Sequence, residues 1–496
     1  MIINTRGLSK SGVFILFIIG ILSSTMQAQS ADDVLRYSLE YPSNDPVSIV
    51  MPGMTEATGF GAYQQNPASM ALFDDSFLSF GLGSRFVDET GTYLGNTAND
   101  SDNQTGVSDL GFVYKVPTTR GSLVVGGGYS QTTDFNRVLS ASGRNQQSTI
   151  TDFYNTTADD SLFFAAFDTY AIDFATTDSS FSETSSIFRI GFPQFPGINQ
   201  DIEMTERGAT GEYSLFLATE FLENLYVGGS IGYYSGTYEY RRDFLESDRE
   251  DDYSAAFIDS DGDGNPDTDI DNILSEDRID SEIKAFSARL GLIYEPVSKL
   301  KIAASYAFPS KLYIDERFNT EITTTFDNSI QFSDDAPGQF SYSITKPQRV
   351  KAGVSFQGGA NLTLSGSAEA VSYSNAKIEF DEIDLNPLES DINSQVKAAF
   401  NDVINLRGGL EYAFNDDFTG RFGYAYYPNP KQAGSDRQFL SGGFSATLTK
   451  GLIFDFGLQY SFWEDQNALY STPSITETVQ EDVTRLHVMT GLRMIL

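Results

Sequence analysis

Residues 452–462 alternate apolar with small or polar side chains. Leu452, Phe454, Phe456, Leu458, Tyr460 and Phe462 share one face; Asp455, Gly457, Gln459 and Ser461 share the other, with Ile453 the exception. The preceding segment places Leu440, Phe444, Ala446 and Leu448 in phase, and Lys450-Gly451 makes a tight turn between the two. The final segment repeats the pattern, with Leu486, Val488, Thr490, Leu492, Met494 and Leu496 opposite His487, Met489, Gly491 and Arg493. Successive strand residues point to opposite faces, so each segment predicts a strand with one apolar and one polar side. Strands of a soluble sandwich also alternate. Here the apolar face is rich in aromatics and the other is small and polar, which suits a lipid exterior around a polar lumen.

Fourteen such segments begin near Ser76, Gly106, Gly121, Ala209, Asn224, Ser281, Lys299, Gly338, Ala360, Asp402, Asp417, Arg437, Leu452 and Val483. The connections alternate between short ones, such as Leu222–Glu223 and Asn415–Asp416, and longer ones near 88–105, 137–207, 243–280, 317–337, 374–401, 429–436 and 464–482. Short periplasmic turns and long extracellular loops leave this mark, and an even strand number fits a closed barrel without edges. The expectation is an all-β chain: a transmembrane antiparallel barrel of about 14 strands over residues 76–496, in a bacterial outer membrane.

The first 28 residues predict an export signal. Arg6 and Lys10 precede the apolar run Val13–Leu22, small and polar residues follow, and Ala28 is a plausible cleavage point. Ten apolar residues are too few for a helix to cross about 30 Å of hydrocarbon. Residues 29–75 lack strong alternation and contain Pro42, Pro46, Pro52, Gly53, Gly59, Gly61 and Pro67. They predict either a loose tail or a plug inside the lumen.

Composition narrows the chemistry. The chain has no cysteine and a single histidine, His487, which removes thiol chemistry and makes histidine-based acid–base or metal chemistry improbable. No enzyme is expected. A formal charge of −36 argues against nucleic acid as a partner.

Local candidates remain. Gly126-Gly127-Gly128 lies inside the third strand, where glycines permit a wall kink; small residues facing lumen and lipid are the plainer reading, as at Gly408-Gly409 and Gly442-Gly443. Phe163, Phe164, Phe167, Tyr170, Ala171 and Phe174 fall at helical spacing, with Asp159, Asp160 and Ser161 as possible caps. That face is either the wall of a ligand groove or a lid packed on its own loop. Asp259, Asp261, Asp263 and Asp267 surround Gly264 at spacings that suit a structural Ca²⁺ ion, although position 12 is Ile270 where a bidentate Glu belongs. The alternative is a solvated acidic loop.

Several stretches resemble the FadL/TodX (OMPP1) outer-membrane transport family, especially its Bacteroidetes-type members. They are GAYQQNPASMALF (61–73), VVGGGYSQTTDFNR (124–137), GEYSLFLATEFLENLYVGGSIGY (211–233), ARLGLIYEPVSKLKIAASY (288–306), KPQRVKAGVSF (346–356), NLRGGLEYAF (405–414), TGRFGYAYYPNP (419–430) and SGGFSATLTKGLIFDFGLQYSF (441–462). The order of the motifs carries the signal, since each alone is largely barrel alternation. The C-terminal Leu496 departs from the aromatic residue that ends many outer-membrane barrels.

The resemblance implies that Asn66, Pro67 and Ala68 mark the junction between an N-terminal hatch and the first strand. It implies passive, hatch-gated uptake of long-chain fatty acids or other hydrophobic compounds, with sideways exit into the lipid through a kink in the third strand. FadL-like barrels also serve as type IX secretion shuttles, which would replace the small-molecule ligand with a surface or secretion partner protein.

Overall fold

The computed structural model describes residues 31–41, 45–175, 183–192, 194–253, 268–382, 385–431 and 433–496. The export signal and the Asp259, Asp261, Asp263 and Asp267 positions lie outside them.

The wall has fourteen staves, all antiparallel. Four are single long strands linked as hairpins: β1 (Phe77–Tyr93) with β2 (Asn96–Lys115), and β7 (Ile198–Leu222) with β8 (Leu225–Ser247). Between these pairs the third stave is broken into β3 (Leu123–Asp134) and β4 (Arg137–Asn145), and a short hairpin, β5 (Ile172–Phe174) with β6 (Thr184–Ser186), sits in the loop that follows. The sixth stave is β9 (Ile270–Val297). The next three are interrupted: β10 (Leu300–Ala307) and β11 (Lys311–Phe326), β12 (Gln331–Thr345) and β13 (Arg349–Gln357), β14 (Leu362–Val371) and β15 (Lys377–Phe380). Five more complete the wall: β16 (Val403–Asn415), β17 (Phe418–Tyr427), β18 (Arg437–Thr449), β19 (Leu452–Ser471) and β20 (Thr476–Ile495). Pairing of β20 with β1, from Phe77↔Ile495 to Thr92↔Gln480, closes the sheet.

Side-chain placement follows the alternation. Leu458, Tyr460 and Phe462 are exposed on the outer face while Asp455, Gly457, Gln459 and Ser461 are buried inside. Outward residues such as Phe80, Phe112, Leu215, Phe286, Phe356 and Phe422 continue an apolar belt around the barrel. Burying them in lipid returns about 25 cal/mol for each Å² removed from water.

The long connections differ from expectation. Residues 88–105, 317–337 and 464–482 are mostly strand, with the β1–β2 ribbon running to a turn at Leu94-Gly95. Above the belt the outer face meets water, so apolar alternation stops while the ladder continues. Polar cross-strand pairs replace it: Thr90 Oγ1 donates to Asn99 Oδ1 at 2.7 Å, and the Thr92 and Thr97 hydroxyls lie 3.5 Å apart. The signal used to find membrane strands vanishes there, although the strands do not.

The N-terminal segment fills the lumen. It comprises a helix (Ala31–Ser38), a turn region from Asp45, a helical turn (Ala62–Gln65) and a 3₁₀ helix (Pro67–Leu72). Val34, Ile49, Met54, Tyr63, Ala68 and Met70 are buried there. The Asp45 carboxylate ties distant parts together by accepting from the amides of Val47, Ser48 and Gly61 at 2.9, 3.0 and 2.7 Å.

Wall cations anchor this segment. Arg407 Nη2 donates to the carbonyls of Ser48 and Met51 at 2.8 and 3.0 Å, and Arg349 Nη2 donates to that of Ser38 at 2.8 Å. Lys346 Nζ meets Glu40 at 2.6 Å and Lys301 Nζ meets Glu56 at 3.3 Å. Lumen-facing glycines provide the space. A Cβ at Gly228 would lie 2.5 Å from the Pro67 carbonyl carbon, and one at Gly291 would overlap the Asn66 side chain.

An extracellular head caps the barrel. Its core joins Tyr93, Leu139, Ile150, Tyr154, Phe188, Phe244, Ile273, Phe326 and Tyr470. Glu246, at the far end of β8 and beyond the lipid belt, accepts from Ile150 N at 2.9 Å, from Gln200 Nε2 at 2.6 Å and from Thr149 Oγ1. Burial outweighs these bonds and pushes its carboxyl up to about 7.

Two predictions arise. Gly291→Val unseats the plug, whereas Gly408→Ala, whose nearest neighbour is the Ser365 carbonyl at 4.0 Å, does not. Planar-bilayer conductance should rise for the first and match the parent for the second; equal conductance for all three would contradict this seating. A carboxyl raised in the folded state stabilises the head below its unfolded value, and that contribution fades as pH rises toward about 7, at about 1.4 kcal/mol per unit. Hydrogen exchange of the 145–154 amides, corrected for intrinsic rates, should therefore speed up between pH 5 and neutrality, and Glu246→Gln should flatten the dependence.

Candidate functional site

The ladder lapses between β2 and the third stave. β2 pairs with β3 from Asp109↔Ser130 to Lys115↔Val124 and no further. Beyond Ser130 the third stave turns away, slips register against β7 between Gln131 and Thr133, and continues as β4, which pairs with β7 alone. The half of β2 from Asn96 to Ser108 keeps β1 on one side and makes no ladder pairing on the other. Side-chain bridges rejoin the edges above the gap, where Ser140 Oγ donates to Asp100 Oδ2 at 2.9 Å and Arg207 Nε meets Asp102 at 3.3 Å.

The gap holds a cavity of about 560 Å³ lined by Gln104–Val107, Leu110, Tyr129, Gln131, Ala209, Tyr213 and Arg85. Val107, Leu110 and Tyr213 are exposed at its outer lip, in the apolar belt. Tyr129 and Tyr213 lie ring to ring at 5.1 Å beside it.

A larger cavity, of about 960 Å³, lies above the plug under the extracellular head. Its walls mix apolar groups (Leu35, Leu39, Phe135, Phe318, Phe340, Leu388, Ile392) with charged ones. The helix Asn386–Ala399 closes one side, held where the Asn393 amide brackets Ile378 of β15 with two 2.9 Å hydrogen bonds. On the floor Tyr41 stacks on Trp463 at 6.5 Å. Arg437 and Arg485 both sit over this aromatic pair, 5.2 and 5.5 Å from the Trp463 ring.

A small void of about 30 Å³ lies between the two cavities. It shares Tyr41, Asp134, Trp463 and Arg485 with the upper one and Arg85 with the side opening. The constriction is polar. Arg85 Nη1 donates to Gln131 Oε1 at 2.9 Å and lies 3.3 Å from Asp134, which is 3.9 Å from Arg485.

The sequence candidates divide around this path. Gly126, Gly127 and Gly128 belong to the fully paired part of β3, just below the gap. Gly126 and Gly128 face the lumen, where the Phe216 and Phe60 rings occupy the space a Cβ would need; Gly127 faces outward against Leu215. Phe60 and Phe216 form one aromatic cluster with Tyr63, at 5.4 Å (Phe60–Tyr63) and 5.3 Å (Tyr63–Phe216). The stave departs from the wall three residues later, at Gln131.

The aromatic helix is shorter than its spacing predicts. It spans Asp160–Asp168, capped by Asp159 as expected, and ends because Tyr170 adopts a φ of +62°. Phe174 lies on β5 instead. Phe163 stacks on Phe167 at 6.4 Å, Phe167 meets Phe174 at 5.2 Å, and Tyr170 reaches Phe332 of β12 at 4.9 Å. Phe164 is 58% exposed. These rings pack on the head, and Leu162 is the residue of this helix's apolar face that reaches the upper cavity.

Asn66, Pro67 and Ala68 sit at the plug–wall contact. Asn66 Nδ2 donates to the carbonyls of Met54 at 2.8 Å and Leu292 at 3.3 Å, and its Oδ1 caps the 3₁₀ helix by accepting from Ala68 N at 3.0 Å. His487 lines the small void beside Arg85 and Arg485.

The residues that sequence reading missed are Tyr41, Arg85, Asp134, Arg437, Trp463 and Arg485. Charge on the lumen phase of a membrane strand was the available signal, since such groups are costly without a role. Trp463 is the sole tryptophan of the chain.

No curated protein sequence matches the chain. Its fold is similar to the crystal structure of the P. putida toluene transporter TodX, at 12% identity over 92% of this chain and 99% of that one, with a TM-score of 0.54. It is also similar to a Pseudomonas aeruginosa FadL homologue, at 12% identity over 92% and 99% of the two chains, with a TM-score of 0.52. The outer membrane protein transport protein profile matches residues 220–493, more than half the chain. With its closed barrel and apolar belt, the chain belongs to the OMPP1/FadL/TodX family of outer-membrane transport proteins.

Proposed function

We propose that this barrel takes up long-chain fatty acids, by passive diffusion from the upper cavity past the N-terminal plug and sideways through the β2–β3 gap into the membrane. The observation that carries the reading is the run of three adjoining cavities ending at a hole in the wall at lipid level. Each methylene returned to water costs about 0.8 kcal/mol. A long alkyl chain therefore gains nothing from a straight aqueous pore, while a side exit keeps it out of water.

The mixed lining favours an amphiphile over a bare hydrocarbon. Leu35, Leu39, Phe135, Leu388 and Ile392 offer an apolar surface for a tail. Arg437 on the floor forms no ion pair among the described residues and is held over Tyr41 and Trp463, which leaves its donors for a carboxylate. The plug, residues 31–75, acts as the hatch. Its anchors are ion pairs and hydrogen bonds that can exchange one by one, so it can shift without the wall unfolding.

Trp463 supplies a direct test because the chain has no other tryptophan. A brominated fatty acid should quench its fluorescence saturably. Arg437→Gln should weaken that binding about ten-fold or more, the worth of a charge-assisted hydrogen bond. An unquenched Trp463 would overturn the reading. Separately, a Cβ at Gly106 would meet nothing within 4 Å, so Gly106→Phe fills the side opening without disturbing the wall. It should abolish uptake by cells while quenching persists; undiminished uptake would place the exit elsewhere.

A further inference from the structure

The polar groups along the small void form an ordered line. Arg437 stands over the Tyr41–Trp463 pair at the upper end, 5.2 Å from the Trp463 ring. Arg485 sits over the same ring at 5.5 Å and reaches down toward Asp134 at 3.9 Å. Asp134 is shared with Arg85, at 3.3 Å, and Arg85 touches Gln131 at the lip of the side opening. Two buried arginines thus share one carboxylate.

Unused hydrogen-bonding capacity lies at the same place. Arg485 Nε and both ends of the buried Asn136 side-chain amide have no hydrogen-bond partner among the described residues. Buried polar groups without partners are rare and costly. Neighbouring Arg137 is different: it is enclosed by Glu89 at 2.9 Å, Glu206 at 3.6 Å and Glu481. The cations open to an incoming anion are therefore those on the line and not the nearby cluster.

We propose that Arg437, Arg485 and Arg85 are successive stations for an anionic head group and make the passage selective for acids over neutral chains of equal length. This rests on the fatty-acid path proposed above. A carboxylate at Arg485 takes the place of Asp134 as its partner, and Asp134 then turns fully to Arg85. At the next station the exchange reverses, Asp134 returns to Arg485, and the head group leaves past Gln131. Because Asp134 competes at each step, the anion is never held by an uncompensated arginine pair, which would trap it. A neutral head group makes no such exchange and must pass a constriction of closed ion pairs.

The test compares uptake of labelled palmitate and hexadecanol by cells producing the full-length barrel, in a host without another such transporter. Arg85→Gln should lower the palmitate-to-hexadecanol ratio about ten-fold, Arg485→Gln should shift it the same way, and Arg85→Lys should largely restore it. Heat-dependent gel mobility identifies folded barrels, and two independent variants keep the test decisive if one fails to assemble. Quenching of Trp463 by brominated palmitate, with uptake of palmitate but an unaltered ratio in the Gln variants, would overturn the station line and leave the path standing. A parent barrel that neither quenches nor takes up palmitate would refute the path, and the stations with it.

Discussion

Hydrocarbon contains no water to satisfy backbone amides and carbonyls, so a chain that crosses it by strands must close its ladder on itself. The arrangement follows from that demand and from its relaxation beside β2. The fourteen staves pair around a full circle. Between β2 and the β3–β4 stave the pairing stops at Asp109↔Ser130, and the freed edge of β2 borders a cavity at Gln104–Val107. Side-chain bridges at Asp100–Ser140 and Asp102–Arg207 hold the upper edges together, so the gap is a bounded window and not a frayed seam.

A closed wall of this size would enclose a wide lumen, and the N-terminal segment occupies it. The fit is steric on one side and electrostatic on the other. Gly228, Gly291, Gly409, Gly423 and Gly457 let the plug approach the wall more closely than any side chain there would permit. Arg349, Arg407 and Lys346 then donate to plug carbonyls or carboxylates. Buried ion pairs contribute little net stability once desolvation is counted, but removing one partner is expensive. Such contacts specify where the plug sits more than how stable it is, which suits a part that must be held yet remain exchangeable.

The membrane portion was legible in the sequence because lipid outside and polar groups inside impose a strict period of two. That pattern places Leu458 outward and Asp455 inward, as found. The extracellular extensions were not legible as strands, because Thr90, Asn99, Thr92 and Thr97 pair across a ribbon wetted on its outer face. The Phe163–Phe174 spacing read as one helix because periodicity carries no record of the left-handed turn at Tyr170. The glycine run lies in the stave that leaves the wall, while the departure itself lies at Gln131–Thr133, where polar residues give no distinctive pattern. The floor of the upper cavity was hidden for another reason. Tyr41, Arg437, Trp463 and Arg485 come from four separate stretches of chain, and only the closed barrel brings them together.

The central claim, a continuous path from the upper cavity to the side window, is tested most directly by photolabelling. Cells producing the barrel would be exposed to a fatty acid carrying a diazirine in its tail, irradiated, and the adducts mapped by mass spectrometry. The path predicts adducts inside the barrel near Trp463 and Phe135 and at the window near Val107 and Tyr213. Adducts confined to the outer apolar belt, with none in the upper cavity, would contradict it.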